Sequence, residues 1–143
     1  SCFEGYNATV FAYGQTGSGK TFTIGGGNIA SLVEQEFGII PRAIQHIFNT
    51  IQTDSGTEYV VRVSYIELYK EELRDLLDVD TSSKDLHIRE DEDGNTVISG
   101  TRELQCSSMD EVMSCLQSGS AARHTGSTQM NEQSSRSHSI FTI

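Results

Sequence analysis

The spacing of apolar residues predicts a long strand and an amphipathic helix in the middle of the chain. Residues 59–69 are mostly apolar on both faces of an extended backbone, as in a central strand that helices cover. Before them, apolar side chains recur at the spacing of one helix face; they are Ile40, Ile44, Ile47, Phe48 and Ile51. The helix is predicted to begin near Pro41, because proline suits a first helical position.

Shorter apolar runs predict the remaining strands. Residues 9–13 are β-branched or aromatic, which predicts a buried strand. Residues 86–89 and 96–98 are short strand candidates on either side of Asp93-Gly94, a strong hairpin signal. Residues 139–143 are expected to end the chain as a strand cut short.

Three further segments are predicted to contain helical turns. Residues 70–77 carry leucines at helical spacing and predict a short turn. Residues 108–111 match a capping box, so a helix should open there and be disrupted or ended by Gly119. Its buried face is predicted to be Val112, Cys115 and Leu116. Residues 28–38 are expected to be an inserted loop with one helical turn around Ile29, Leu32 and Val33.

Residues 14–21 match the phosphate-binding loop pattern of a glycine, four residues and then Gly-Lys-Thr. The glycines let the backbone take turns that side chains would block, so its N–H groups can form an anion nest. The strand predicted before the loop and the helix predicted after it, over residues 21–24, are the context that such a loop requires. The alternative is a chance glycine-rich turn, which the Lys-Thr ending disfavours.

The residue types in this loop predict their roles. Lys20 supplies a positive charge to the β- and γ-phosphates, and Thr21 offers a hydroxyl to Mg²⁺, which prefers oxygen ligands. The residues expected to surround the phosphates are Gly14, Gln15, Thr16, Gly17, Ser18, Gly19, Lys20 and Thr21. After residue 24, three consecutive glycines should break the helix.

Composition and charge narrow the classes of partner. The chain has 143 residues, of which 36% are hydrophobic and 21% charged, as in a globular domain with a real core. The formal net charge is −10, which argues against nucleic acid as a direct partner. Eleven acids and four bases lie between Glu67 and Asp93, most simply as a solvated acidic surface. No run is long and apolar enough to predict a membrane partner.

Metal and disulfide signals are weak. Cys2, Cys106 and Cys115 match no zinc or redox spacing and are predicted to be buried thiols in a reducing compartment. The acidic run at residues 91–95 hints at a calcium loop. We reject that hypothesis, because Thr96 stands where the loop needs glycine and Arg102 where it needs a bidentate acid.

A second polar motif makes the likeness to a known family specific. Residues 131–138, Asn-Glu-Gln-Ser-Ser-Arg-Ser-His, resemble the first switch loop of the kinesin motor domain. Residues 11–21 resemble the kinesin version of the phosphate loop, and residues 38–43 and 63–69 resemble intervening family segments. The resemblance covers the whole chain. Within the family, it is nearest to the vertebrate Hedgehog-linked, cilium-associated branch, through residues 31–34, 86–92 and 121–126.

The resemblance implies roles for several side chains. Ser135 would supply a second hydroxyl near Mg²⁺, and Ser134 would help to hold the attacking water. Arg136 would pair with a glutamate of the family's second switch. Phe22 would flank the adenine of ATP, with core packing as an equal alternative. His138 is expected to support the following strand rather than to act in catalysis.

The resemblance also implies a fold and a domain assignment. We expect an α/β, P-loop NTPase fold of the kinesin-motor type, with a mixed central sheet and helices on both faces. Residues 1–143 would be a partial motor domain that runs from the phosphate loop through the first switch. The amino-terminal segment, the second switch and the main track-binding region would be missing, so the fragment alone should be inactive. The chain opens at Ser1 without an initiator Met, which also suggests a fragment.

The activity implied is that of a microtubule-stimulated ATPase, with ATP and Mg²⁺ bound, that couples hydrolysis to movement along microtubules. The full-length protein would be a coiled-coil dimer in the cytoplasm and on the cytoskeleton, with Hedgehog-pathway components as further partners and the cilium as a further location. The alternative is a kinesin-like signalling scaffold that binds nucleotide and microtubules with little or no motility. An unrelated phosphate-loop ATPase would explain residues 14–21 but not residues 131–138.

One surface departs from what many kinesins show. Residues 78–100 match a family loop that touches tubulin, and many kinesins place basic residues there. Here Glu92 and Asp93 occupy the predicted hairpin tip. Because the tubulin surface is acidic, we expect these acids to weaken attraction to the track.

Overall fold

The computed structural model describes residues 2–26, 34–125 and 136–143. Its helices are α1 (Lys20–Gly25), α2 (Ile39–Thr53) and α3 (Met109–Thr125). Its strands are β1 (Val61–Tyr69), β2 (Glu72–Asp75), β3 (His87–Glu90), β4 (Thr96–Ser99), β5 (Leu104–Cys106) and β6 (Ser137–Thr142). Short 3-10 helices cover Cys2–Glu4, Glu34–Glu36 and Ser83–Asp85. The chain divides into two compact units, residues 1–43 and 44–143.

Strand β1 is the centre of the second unit, as its apolar sequence predicted. Its first three residues pair with β5, and its later residues pair with both β2 and β6. Since β2 and β6 both pair with Ile66–Tyr69, they must lie on opposite edges of β1. Every strand pair in the described residues is antiparallel. The strand begins two residues later than predicted.

The two faces of β1 are covered by different elements. Val63 and Tyr65 are buried on one face, where the Tyr65 ring meets Phe141 of β6 edge to face at 5.2 Å between centroids. On the other face, Ile66 packs with Leu73 and Leu86 in a small apolar cluster that the partly buried Leu68 and Ile98 extend. The prediction of a strand that is buried on both sides is therefore confirmed.

The connection after β1 is a tight hairpin, so the helical turn predicted for residues 70–77 is wrong. Lys70 and Glu71 have φ of 50° and 65°, and Tyr69 pairs directly with Glu72. Positive φ at both central residues is the pattern of a type I′ turn, whose twist matches that of paired strands. Of the leucines that suggested a helix, only Leu73 lies in β2, which buries it in the cluster with Ile66, and Leu76 and Leu77 follow the strand.

Asp75, the last residue of β2, binds both ends of the segment of residues 77–102 that follows. Its carboxylate is fully buried and accepts hydrogen bonds from three backbone N–H groups. Those of Leu77 and Asp78 reach Oδ1 at 2.9 and 3.2 Å, and that of Arg102 reaches Oδ2 at 2.6 Å. On the surface beside them, Arg102 Nη1 lies 3.3 Å from Asp78 Oδ2. The carboxylate therefore joins the two ends of the segment that holds β3 and β4.

The hairpin predicted around Asp93-Gly94 is confirmed as β3 and β4. At its tip, Asp91 Oδ1 accepts the backbone N–H groups of Asp93 and Asn95 at 3.0 and 2.8 Å. The side-chain amide of Asn95 donates to both Asp91 oxygens. Hydrogen bonds from Asn95, above all, hold the pKa of the Asp91 carboxyl below its ordinary value. Glu92 and Asp93 are exposed at this tip, as expected.

Helix α3 begins as the capping box predicted but continues past Gly119. The Glu111 N–H donates to Ser108 Oγ at 3.3 Å, and the N–H of Ser107 donates to Glu111 Oε2 at 2.6 Å. The bond from the Ser107 N–H is the main cause of a lowered pKa for the Glu111 carboxyl. The helix runs to Thr125. Gly119 is a packing site within it, because a Cβ there would collide with the Tyr65 ring. The prediction that Gly119 ends the helix is wrong.

The cysteines differ in exposure. Cys106 is buried and Cys115 is half-buried, with 3.9 Å between their Sγ atoms. Burial, and next the neighbouring Cys115, raises the pKa of the Cys106 thiol to about 11. Cys2 is exposed on a short 3-10 helix, so the prediction of three buried thiols is wrong for this residue.

Helix α2 begins at Ile39, two residues before the predicted start at Pro41. Pro41 is buried in the first turn, where backbone N–H groups have no intrahelical acceptor, so its ring costs no hydrogen bond. The predicted apolar stripe is confirmed: Ile44 and Phe48 are buried, and its other members, Ile40, Ile47 and Ile51, are half-buried.

The first unit differs most from its sequence-based prediction. Residues 9–13 form no strand and are exposed, with Val10, Phe11 and Tyr13 at 66%, 80% and 90% of full accessibility. A strand needs a hydrogen-bonding neighbour, and no strand of the described residues pairs with this segment. Helix α1 forms and ends among glycines as predicted. Residues 27–33, including the predicted turn around Ile29, Leu32 and Val33, lie outside the described residues.

Candidate functional site

The glycine-rich segment of the first unit folds as a tight loop that opens helix α1. The N–H of Ser18 donates to the Gln15 carbonyl at 3.2 Å, which closes a turn over the two residues between them. Gly17 and Gly19 have φ of 81° and 87°, a region that other residues enter only with strain. A Cβ on Gly14 would lie 2.7 Å from Ser18 Oγ. These three positions therefore explain why the pattern has glycine where it does.

Lys20 is the first residue of α1, and its side chain folds back over the loop. Its Nζ donates to the carbonyl oxygens of Gly14 and Gln15 at 2.7 and 2.8 Å. An ammonium group carries three N–H donors. These two bonds hold the positive charge beside the loop backbone, where the predicted phosphate site lies. The structure thus brings Gly14, Gln15 and Lys20 together as the sequence predicted.

The other predicted ligand-binding residues of this unit are accessible. Gln15, Thr16 and Ser18 are exposed in the loop, and Thr21 and Phe22 are exposed in the first turn of α1. The Phe22 side chain retains 62% of its full accessibility, so it does not pack in a core. The structure therefore disagrees with core packing of Phe22, and its contact with the adenine of ATP remains a prediction.

The second motif falls largely outside the described residues. Residues 131–135 lie outside the described residues, so the roles predicted for Ser134 and Ser135 stay predictions. Arg136 is exposed and directly precedes β6, whose first two residues are Ser137 and His138. His138 is paired with Leu68 in the sheet, in agreement with a role in the strand. That Thr21 and Ser135 bind one magnesium ion also stays a prediction.

Sequence reasoning missed a buried ionic cluster behind β6. Glu67, in the middle of β1, has no exposed surface, and Arg123 Nε lies 3.3 Å from its Oε1. Arg74 Nη1 of β2 approaches the other carboxylate oxygen at 3.9 Å. One signal in the sequence could have found this cluster: Glu67 is a lone acid within an apolar strand. A buried carboxylate needs a cation or several hydrogen bonds, so such an acid predicts a partner.

The described residues contain neither a cluster of metal-ligand side chains nor a helix that could span a membrane. Residues 2–26, 34–125 and 136–143 contain no group of three or more His, Cys, Asp or Glu that could hold a metal ion. Within the same residues, no helix is both long enough and apolar enough to cross a membrane.

Comparison with known proteins places the chain in a family. The family model described as kinesin motor domain matches residues 1–143. Kinesin-like protein KIF27 of Mus musculus is 68% identical over 143 residues, which are 100% of this chain and 10% of that protein. Kinesin-like protein kif7 of Danio rerio is 58% identical over 141 residues, with 99% and 10% covered. The chain therefore spans about a tenth of the length of these relatives.

The fold agrees with the sequence. A solved structure of a fast kinesin superposes with a TM-score of 0.83 at 43% identity, over 95% of this chain and 38% of that one. Identity is lower, 46%, with kinesin-like protein KIF21A of Homo sapiens than with KIF27 or kif7. The chain belongs to the kinesin family, with motor-domain sequence throughout its 143 residues and the α/β fold of a kinesin motor.

Proposed function

We propose that this chain is the ATP-binding part of a motor that couples ATP hydrolysis to movement along microtubules. The observation that carries the proposal is the position of Lys20, whose ammonium is held over a glycine-rich loop at the start of a helix. A positive charge, a glycine-rich turn and a helix start together favour a polyphosphate. Membership of the kinesin family makes ATP the expected nucleotide.

Each loop residue has a defined task in this proposal. Lys20 neutralises charge on the β- and γ-phosphates, and the backbone of residues 14–19 donates hydrogen bonds to them. Phe22, exposed in the first turn of α1, flanks the adenine. Catalysis is positioning and charge stabilisation, without a covalent step.

The donor set of the chain fits magnesium bound mainly through phosphate. Among the described residues, no acidic cluster could hold the ion alone, but the exposed Thr21 offers a hard oxygen ligand. Thr21 and Ser135 would hold the ion, which neutralises charge on the triphosphate when bound. Ser134 would hold the attacking water, and Arg136 would close the site by pairing with a glutamate of the second switch.

The whole protein would be a microtubule-stimulated ATPase and a coiled-coil dimer on the cytoskeleton. The higher identity to KIF27 and kif7 supports placing it with cilium-linked kinesins and Hedgehog-pathway partners. One observation favours the alternative of a scaffold with little motility: Glu92 and Asp93 are exposed at the tip of the β3–β4 hairpin. Acids there weaken attraction to the acidic tubulin surface.

The test is ATP turnover by a complete motor domain that carries this chain, with and without microtubules. We expect strong stimulation by microtubules, and we expect Lys20→Ala to lower kcat by about 10²- to 10³-fold, the usual effect of removing one charge-stabilising group. Lys70→Ala, at an exposed lysine of the second unit that lies outside the predicted tubulin-contacting loop, is the matched control and should leave kcat unchanged. Tight microtubule binding with negligible turnover would support the scaffold instead, and failure to bind ATP would reject both functions.

A further inference from the structure

We propose that Cys106 and Cys115 form a reversible oxidation site, at which a hydroperoxide converts the two thiols into an intramolecular disulfide. The two side chains lie on different elements, at the end of β5 and in the second turn of α3. Both belong to the second unit. The site shares no residue with the glycine-rich loop, so this inference does not depend on nucleotide binding.

The fold brings into contact two thiols that are nine positions apart in the sequence. The Sγ atoms of Cys106 and Cys115 are 3.9 Å apart and share a hydrogen bond. A disulfide bond is about 2.0 Å long, so the two sulfurs must approach each other by roughly 2 Å. Rotation about the Cα–Cβ bonds of both cysteines is the movement that brings them together. The product would join the end of β5 to α3 across Ser107 and Ser108.

The two sulfurs differ in their access to solvent. Cys106 is 4% exposed, whereas Cys115 is half-buried. Both line an open cavity of about 390 Å³, together with Asp110, Glu111 and Ser114. A small oxidant that enters this cavity therefore reaches the more accessible sulfur, that of Cys115, before it reaches Cys106.

The protonation of Cys106 assigns a role to each sulfur. Burial, and next the neighbouring Cys115, raises the pKa of the Cys106 thiol to about 11. Cys106 therefore keeps its proton at neutral pH, and its S–H can donate to the Leu104 carbonyl at 3.7 Å or to Cys115 Sγ. A protonated thiol is a poor nucleophile, because the thiolate is the reactive form. Cys115 is thus the attacking sulfur, and Cys106 is the resolving one.

The lining of the cavity favours a small, uncharged oxidant. Asp110 and Glu111 lie on it, and hydrogen bonds from Ser107, first from its backbone N–H, lower the pKa of the Glu111 carboxyl. Glu111 is therefore ionised at neutral pH and repels anions. Glutathione disulfide is large and anionic, so it is disfavoured here. A hydroperoxide is small and neutral, and it oxidises a thiolate to a sulfenic acid.

The reaction is balanced in two steps. The Cys115 thiolate attacks one oxygen of hydrogen peroxide, so an S–O bond forms and the O–O bond breaks. The hydroxide that leaves takes up the proton released by the Cys115 thiol and becomes water. Cys106 Sγ then attacks Cys115 Sγ, the S–S bond forms, the S–O bond breaks, and the second hydroxide leaves as water with the Cys106 proton. The two thiols lose two electrons, and one peroxide is reduced to two molecules of water.

The oxidised state can be reversed by thiols. A disulfide opens when a thiolate attacks one of its sulfurs, so a dithiol reductant restores both cysteines. Formation of the disulfide also protects Cys115, because a sulfenic acid that finds no thiol is open to further, irreversible oxidation. The resolving sulfur at 3.9 Å is what makes this site reversible.

The test is the reaction of hydrogen peroxide with a complete, reduced motor domain that carries this chain. The peroxide dose is the one at which half of the exposed Cys2 thiol has reacted. Remaining thiols are alkylated after unfolding, and the peptides are identified by mass spectrometry. We expect a link between Cys106 and Cys115, with the loss of two hydrogen atoms, that dithiothreitol reverses. Absence of this link at that dose would overturn the inference.

Two single substitutions test the assigned roles. Cys106→Ser removes the resolving thiol, so trapping of the Cys115 sulfenic acid by dimedone should rise about fivefold or more. In Cys115→Ser, the protonated Cys106 should react about tenfold more slowly than Cys115 does in the first variant. Equal rates for the two sulfurs would overturn the roles. If either variant does not fold, the link in the unsubstituted domain still decides the proposal, and neither measurement uses ATP.

Discussion

The phosphate-binding loop and the Glu67–Arg123 cluster are two charged sites built in opposite ways. In the loop, Lys20 binds carbonyls only five and six residues away and remains at the surface. In the cluster, Arg123 binds a carboxylate 56 residues away and serines 14 and 16 residues away, with little exposure. The loop is local and accessible to a ligand, whereas the cluster is long-range and nearly closed to solvent.

The difference in exposure between the two sites matches two different tasks, ligand binding and the fixing of a strand. The loop is proposed to admit ATP, and its cation lies near water, where each contact contributes little to stability. A site that must hold a strand in register can be buried, where breaking one partner is expensive. Substitutions should therefore affect mainly ligand binding in the loop and mainly unfolding in the sheet. Measurements on variants of a complete motor domain that carries the chain test this contrast.

The largest effect is expected from Arg123→Met. Removing the guanidinium takes the 3.3 Å ion pair away from the buried Glu67 carboxylate, so the free energy of unfolding should fall by about 3 kcal/mol. Arg102→Met, at the exposed pair with Asp78, should cost less than about 1 kcal/mol. Urea unfolding measures both.

A companion variant sharpens this prediction. Adding Glu67→Leu to Arg123→Met removes the stranded carboxylate, and most of the lost stability should return, because a buried ion pair can often be replaced by apolar side chains. Equal losses for the single and double variants would show that packing, rather than charge, holds the cluster together.

The next effect concerns two helical glycines, one in each unit. Gly119→Ala forces a methyl group into the Tyr65 ring and should lower the free energy of unfolding by about 1 to 3 kcal/mol. Gly25→Ala meets nothing within 4 Å, so it should change stability by less than about 1 kcal/mol, in the stabilising direction. Thermal unfolding of the two variants side by side distinguishes them. Equal shifts would contradict the packing assigned to Gly119.

A smaller effect is expected at the turn between β1 and β2. Glu71 has φ of 65°, which glycine adopts without strain, so Glu71→Gly should raise the free energy of unfolding by about 0.5 kcal/mol. The neighbouring Glu72→Gly, in β2, should lower it by about 0.5 to 1 kcal/mol, because strand positions disfavour glycine. The opposite signs of two identical changes, measured by urea unfolding, are the critical result.

The smallest effect is a pH dependence confined to the β3–β4 hairpin. The pKa of Asp91 is lowered by hydrogen bonds, first from Asn95, so the folded tip favours the ionised form. Its stabilising contribution is complete above the ordinary pKa of about 3.9 for aspartate and is lost as the pH falls through the lower folded value. Chemical shifts of residues 87–99 should report this loss. Asp91→Asn should remove it, while Glu92→Gln, at the same tip, should not.

The sequence predicted what local chemistry determines. The pattern of residues 14–21 was sufficient to predict a turn and a helix, but not the contacts of Lys20 with the loop carbonyls. An apolar run predicted β1, the Asp93-Gly94 turn signal predicted the β3–β4 hairpin, and the capping box at residues 108–111 predicted the start of α3. In each case, residues within a few positions of one another decide the structure, so a pattern carries the information.

The sequence predicted poorly what depends on distant partners. Residues 70–77 carry leucines at helical spacing, but pairing with residues 66–69 makes residues 72–75 a strand. Residues 9–13 have strand composition, but no described strand pairs with them. Gly119 looked like a helix breaker until the Tyr65 ring, 54 positions earlier, gave it a packing role. The partnership of Glu67 with Arg123 has no signature in spacing at all.

Asp75 has a consequence for how this protein family can diversify. Because one buried carboxylate joins Leu77, Asp78 and Arg102, the excursion between residues 78 and 102 leaves and returns at a single fastened point. Within this excursion, Leu86 and Ile98 pack in the apolar cluster around Ile66 of β1, so the freedom to vary belongs to its exposed tip, residues 92–95. A tip of different length or charge, grafted from a relative, should leave the remainder of the domain intact.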